Sequence, residues 1–152
     1  MAVATTVARS PTLIGAALAI FVFAQTSASA APTERERHAA ECVAALDEKT
    51  RDLAQEIKAG KSELTPLLQR RLEEGTAFVG DAYLHGMQDE ERAKELANQA
   101  LQAQKSLPPR QLAARQEACA TEGAKLLEQG NALERVVVRR LALKRMTKLL
   151  AG

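Results

Sequence analysis

From Thr33 onward, apolar side chains recur along the chain in steps of three and four, the spacing that lines one face of an α-helix. His38, Cys42, Leu46, Leu53 and Ile57 form the first such stripe, with Glu41, Glu48, Arg51 and Glu56 opposite. Thr33 followed by Glu36 is a capping box that opens this helix, and Gly60 is placed to end it. Thr65-Pro66 gives a second start, with threonine as N-cap and proline at the first helical position. Leu68, Leu72, Val79 and Tyr83 share a face of this second helix, which stops at Gly86. Gly75 and Gly80 interrupt it at a cost of roughly 1 kcal/mol each against alanine, which predicts a kink or a closely packed neighbour. Asp89 caps a third helix with Ala93, Leu96, Ala97, Ala100 and Leu101 inward. Pro108-Pro109 separates it from a fourth, along which Leu112, Gln116, Cys119, Gly123 and Leu126 align before Gly130 closes the run. Asn131 with Glu134 is another capping box and begins a fifth helix that reaches about Leu150.

The start of the chain follows a different rule. Leu13 to Ala24 reads LIGAALAIFVFA, twelve residues without a polar side chain, preceded by the single charge Arg9 and followed by QTSASAAP. Spanning a hydrocarbon core of roughly 30 Å takes about 20 apolar residues, so the run is too short for an anchor. A weakly cationic start, a short apolar core and small residues at Ala28 and Ala30 are the parts of a cleavable signal peptide. Cleavage after Ala30 is expected, because a cut one residue later would place Pro32 after the scissile bond. The absence of a twin arginine argues against the folded-protein export route, and the absence of a nearby cysteine argues against a lipoprotein. The expectation is a periplasmic or secreted protein whose residues 31–152 form one domain.

Composition sharpens both the fold and the partner. Residues 31–152 are built from Ala, Leu, Glu, Gln, Lys and Arg, all strong helix formers, and the β-branched residues favoured in strands concentrate in Val136-Val137-Val138. The fold class expected is all-α, an up-and-down bundle of four to five helices. Basic and acidic residues of this part nearly balance, 20 against 19, and its aromatics are Phe78 and Tyr83 alone. Nucleic-acid binders need a basic footprint and usually stacking aromatics, so nucleic acid is excluded as a partner.

Cys42 and Cys119 are the only cysteines. In an oxidising compartment disulfides persist, and a bridge between them would close a long loop worth about 4 kcal/mol on the chain-entropy model. Two buried free thiols are the alternative. A metal site is not expected, because neither cysteine has neighbours at zinc-ligand spacing. A Cys42–Cys119 bridge would place the first and fourth helices side by side and antiparallel.

The candidate chemistry is sparse. GxSxG, HExxH and CxxC are absent, and Ser62 and Ser106 sit at helix ends, where capping accounts for them. Cys42 lies one helical turn after His38, the spacing of a thiol with its base, but disulfide pairing would remove the nucleophile. Covalent haem attachment needs CxxCH. Non-covalent haem could draw on Met87, Met146, His38 and His85, but no aromatic or strongly apolar pocket accompanies them, and no cofactor is expected. Among sites of contact, Tyr83 is the lone tyrosine, a potential interaction hot spot if exposed, although helical spacing favours a core position with the hydroxyl at the rim. The fifth helix carries Arg135, Arg139, Arg140, Lys144, Arg145 and Lys148 against Glu134. Arg140, Lys144, Thr147 and Lys148 fall on one arc, and Val138, Leu141, Ala142, Met146, Leu149 and Leu150 on the other. Such a cationic amphipathic helix either adheres to an anionic surface or packs by its apolar arc with the basic arc solvated.

These readings converge on an exported, non-enzymatic helical protein that acts by binding another envelope or secreted protein. The next reading is a peripheral envelope-surface protein using the basic last helix. A small enzyme or haem-binding bundle ranks below both, and a second polar group converging on His38 or His85 is the feature that would raise it.

Overall fold

The computed structural model describes residues 31–152; the proposed signal segment and its cleavage site at Ala30 lie outside the described residues. The described part is all-α, with five helices: α1 (Glu34–Lys58), α2 (Thr65–Leu84), α3 (Glu90–Gln104), α4 (Pro109–Gln129) and α5 (Ala132–Ala151). Local chemistry sets most of their ends. The Thr33 hydroxyl accepts from the Glu36 backbone N–H at 3.2 Å, while the Glu36 carboxylate accepts from the Thr33 N–H at 2.7 Å. Asn131 and Glu134 repeat this reciprocal pair at the start of α5. Asp89 caps α3 through the Arg92 N–H, and Gly60 and Gly86 turn the chain at positive φ, which glycine adopts at no steric cost.

The start of α2 differs from expectation. A short 3-10 turn over Ser62–Leu64 runs directly into it, so Thr65 already has helical backbone angles. A capping threonine needs extended geometry. Here the Thr65 hydroxyl instead donates to the Ser62 carbonyl at 2.7 Å, and Leu64 occupies the cap position.

The helices alternate in direction, up-down-up-down-up. Cross-helix pairs fix each relation: Glu41–Arg115 and His38–Glu122 run α4 antiparallel to α1, whereas Glu36–Arg92 and the Glu41 carbonyl with Gln104 run α3 parallel to it. α1 is the spine and touches all four others. α3 rests on α1, α4 lies against α1 and α2, and α5 lies mainly along α2. The Cys42–Cys119 disulfide joins α1 to α4, with Cα atoms 5.2 Å apart.

Two core clusters divide the length of α1. One gathers Cys42, Ala45 and Leu46 with Phe78, Ala82, Cys119 and Ala120; the other gathers Leu53 and Ala54 with Leu68, Leu72 and Ala142. Alanine makes up half of the first cluster and leucine most of the second, so the helices approach most closely at the disulfide end. The kink or tight packing expected at Gly75 and Gly80 is not found in that form, because α2 is continuous. A Cβ on Gly75 would rest at an ordinary 3.6 Å from the Leu46 Cβ, and one on Gly80 would meet nothing. The close crossing is at Gly123 of α4, where a Cβ would lie 2.7 Å from the Glu74 carbonyl oxygen.

Candidate functional site

Two features of the surface stand out, one polar and one apolar. The polar one is a cleft of about 580 Å³ where the start of α1, the end of α2 and the second half of α4 meet. His38 of α1 and Glu122 of α4 face one another across it, with Nε2 to Oε2 at 2.8 Å and each side chain about half-exposed. On α2, the His85 Nδ1 hydrogen-bonds the Asp81 carbonyl oxygen at 2.7 Å and lies 3.3 Å from its carboxylate. Arg35 reaches the other Asp81 oxygen at 3.9 Å. Both histidines of the chain therefore have a carboxylate partner and line one cleft. Because His38 precedes Cys42 by one turn, its ring also stands 3.9 Å from the Cys42 sulfur. The disulfide occupies that sulfur, so the thiol–imidazole pair considered from the sequence holds no free nucleophile.

The apolar feature is a groove. α4 and α5 are joined by the tight Gly130-Asn131 link, yet α5 leans on α2 and makes little contact with α4. Between them runs a channel over α2, in two adjoining hollows of about 180 Å³ and about 480 Å³ that share Leu127, Arg135 and Val138. Gln69, Glu73, Ala77, Gly80 and Leu84 of α2 form the floor, Leu126 and Leu127 of α4 one wall, and Val136 and Arg139 of α5 the other.

The two helices that flank this groove through Leu84 and Val136 also carry the exposed large apolar side chains. The exposed large hydrophobic residues are Val79, Tyr83, Leu84, Leu133, Val136, Val137, Leu141 and Leu143. Every one belongs to the end of α2 or to α5. Exposed apolar clusters of this kind mark interaction surfaces. Charge accompanies them, since Arg139, Arg140, Lys144 and Lys148 make no ion pair among the described residues. Arg145 does, joining Arg51 on the Asp47 carboxylate and tying α5 to α1.

The residues singled out from the sequence fall as follows. Cys42 and Cys119 are bonded and buried. Arg140, Lys144 and Lys148 lie on the solvent arc of α5, while Ala142 is buried and Val138, Met146, Leu149 and Leu150 are half-buried against the bundle. Two positions are corrected. Leu141, assigned to the inward arc, is 51% exposed, because it lies at the edge of that arc, where α5 meets too little of α1 to cover it. Tyr83, favoured for the core, is 58% exposed; the last turns of α2 direct Phe78 and Ala82 into the core and Tyr83 away from it. The sequence reading also passed over Leu133, Val136 and Val137. Their signal was available, because Leu133, Val136 and Val137 lie outside the single apolar arc that the rest of α5 turns to the bundle.

Burial perturbs one acid. Glu74 is 3% exposed beneath the α4 crossing; desolvation raises its carboxyl above the usual range, and the Arg71 guanidinium at 2.8 Å opposes the rise. Glu36 shifts the other way, lowered first by the Thr33 backbone N–H and then by Arg92.

No family model matches the chain, and neither a curated protein nor a solved structure matches it. No helix among the described residues is long and apolar enough to cross a membrane.

Proposed function

We propose that this is an exported binding protein without catalytic chemistry, which docks an acidic, apolar-faced segment of another envelope or secreted protein in the groove between α4 and α5. The observation that carries the reading is the confinement of exposed large apolar side chains to α5 and the last six residues of α2, with Leu84 and Val136 lining the groove itself. A solvated helical domain has no use for Leu133 at 73% exposure beside Val136 and Val137, whereas a partner that covers them gains the burial. The unpaired cations along the same helix select a partner of negative charge. An isologous dimer through this face would set those cations against their own copies, so a second copy fits poorly. The Cys42–Cys119 bridge is compatible with an oxidising location outside the cytoplasm, in keeping with the signal segment read from residues 1–30.

Attachment of α5 to an anionic membrane is the weaker reading. A helix lying in a lipid interface buries a continuous apolar face, and in α5 that arc is already turned to α2 and α1 through Ala142, Met146, Leu149 and Leu150.

The test uses a photo-reactive amino acid in place of Val136, incorporated into the protein in its native secreted or periplasmic fraction. A discrete protein adduct is expected, weakened by salt and by Arg139→Glu. Gly80→Leu should abolish it, because a side chain at position 80 points into open groove space and leaves the fold intact. Adduct formation indifferent to Gly80→Leu, or sedimentation of the protein with anionic vesicles in place of any adduct, overturns the proposal.

A further inference from the structure

The disulfide end of the molecule holds more ligand chemistry than a covalent staple requires. His38 and Cys42 lie four residues apart on α1, and Cys119 and Glu122 three apart on α4. Both spacings put the two side chains on one helix face. Because α1 and α4 pack antiparallel with these faces opposed, four donors converge. The His38 ring nitrogen, the Cys42 sulfur and a Glu122 carboxylate oxygen all lie within 4.8 Å of one another, and the Cys119 sulfur is bonded to that of Cys42. Two cysteines, one histidine and one carboxylate match the four-coordinate donor sets that hold zinc.

We infer that reduction of the Cys42–Cys119 bond converts this disulfide into a site for one divalent zinc ion, held by Cys42, Cys119, His38 and Glu122. Metal–ligand bonds of about 2.0–2.3 Å in a tetrahedron place donor atoms roughly 3.4–3.8 Å apart. The Cys42 sulfur and His38 nitrogen already stand at 3.9 Å. His38 and Glu122, hydrogen-bonded at 2.8 Å, need to part by only about half an ångström. While the disulfide is intact, both sulfurs are committed to each other and the remaining pair, one imidazole and one carboxylate, is a weak exposed site. A dithiol or phosphine reductant supplies two electrons and the sulfur–sulfur bond breaks to two thiols; the dithiol gives up its own two protons and becomes a disulfide, whereas with the phosphine one water supplies both protons and the oxygen of the phosphine oxide. Zinc then displaces both thiol protons, as thiolate ligation requires. The cysteines are buried, but His38 and Glu122 are half-exposed in the open cleft, which gives the ion its path inward. The reduced protein thus exchanges one staple between α1 and α4 for another at the same place.

Cobalt(II) and zinc(II) are the probes, added to the full protein before and after treatment with a phosphine reductant. The reduced protein should bind one cobalt with thiolate charge-transfer absorption and the intense visible bands of tetrahedral coordination, and zinc should bleach them. Chelator competition should show zinc held at least a hundredfold more tightly by the reduced than by the oxidised form. His38→Ala and Glu122→Gln, whose side chains are half-exposed and leave the disulfide-bonded fold unchanged, should each weaken zinc binding by tenfold or more. Adding zinc during reduction should restore the melting temperature lost with the disulfide, and this arm keeps the test decisive if the metal-free reduced chain unfolds. Equal zinc affinity in the two redox forms, indifference to both substitutions, or a reduced chain that stays unfolded with zinc present would each overturn the inference.

Discussion

Gly123→Ala probes how α2 and α4 cross. The added methyl would lie 2.7 Å from the Glu74 carbonyl oxygen, 2.9 Å from its Cβ and 3.0 Å from its carbonyl carbon. Two of these are backbone atoms, so no side-chain rotation relieves the contact, and the helices must separate by roughly 0.5–1 Å to restore ordinary van der Waals distance. α4 is poorly free to move. Cys119, one turn earlier, is bonded to α1, and Arg71 grips Glu117 at 3.1 Å. Overpacking of this kind costs about 1–3 kcal/mol, and the preference of a helix for alanine over glycine returns about 1 kcal/mol. The net is a loss of up to about 2 kcal/mol, which corresponds to a melting temperature lower by up to about 8 °C in a domain of this size. Gly80→Ala is the matched control. It also sits mid-helix, but its methyl meets nothing within 4 Å, so the propensity gain stands alone and the melting temperature should rise by about 2–4 °C. Thermal unfolding followed by far-UV circular dichroism gives both numbers. A rise for Gly123→Ala equal to that for Gly80→Ala would refute the close crossing.

Other perturbations separate the remaining contributions. Cys42→Ser and Cys119→Ser should destabilise the protein equally, by about 4 kcal/mol, and the double mutant by no more; additive losses in chemical denaturation would mean two independent thiols. Glu74 should give a pH signature. Its folded carboxyl is raised by desolvation, so its contribution is full below the ordinary carboxylate range and is lost as pH rises through the raised value. Glu74→Gln should therefore gain stability over the parent protein as pH rises above about 4, and a parallel pH dependence of the two would contradict the buried charge. Reversing Arg140, Lys144 and Lys148 to glutamate should cost little stability, because all three are solvated and unpaired, with the helix-terminus effect limited to about 0.3–1 kcal/mol near Lys148. The same triple reversal should weaken the Val136 photo-adduct, and loss of folding instead would place these cations in the core packing.

What the sequence made legible was local. The capping boxes at Thr33 and Asn131, the stops at Gly60, Gly86 and Gly130, and the inward stripes of α1 and α4 all depend on residues three or four positions apart, and they stand in the structure except at His38, which opens the α1 stripe but is half-exposed. So does the Cys42–Cys119 bridge, which only two cysteines could make. Thr65 failed as a cap for a local reason too, because Ser62–Leu64 was already wound and removed the extended geometry on which capping depends. The failures at Tyr83 and Leu141 have another origin. Helical periodicity says which side chains share a face, but the placement of the neighbouring helices decides whether that face is covered. Glycine spacing misled in the same way: Gly75 and Gly80 drew attention within one helix, while the approach that matters joins Gly123 to Glu74 across 49 positions. The pairing of His38 with Glu122, 84 residues apart, had no sequence signature for the same reason.

The division of labour between the two ends of α1 follows from these distances. Its first half is fixed by the disulfide, by the Glu36–Arg92 pair to α3 and by the buried Gln104 side chain donating to the Glu41 carbonyl at 2.7 Å. Its second half meets α5 through Arg145 and a few half-buried side chains, and α5 contributes only Ala142 fully to the core. A helix so lightly covered leaves its remaining apolar surface to be buried by something else. Placing that surface opposite α4, which the disulfide fixes to α1, gives a partner a wall that does not have to be ordered on binding, which lowers the entropic cost of association. Cross-strengthening α5 to α2 should therefore raise stability without improving binding, whereas breaking the staple should weaken both. Measuring photo-adduct yield at Val136 for the Cys42→Ser, Cys119→Ser double mutant below its melting temperature distinguishes the two: undiminished yield would mean that α5 recognises its partner independently of the stapled α4 wall.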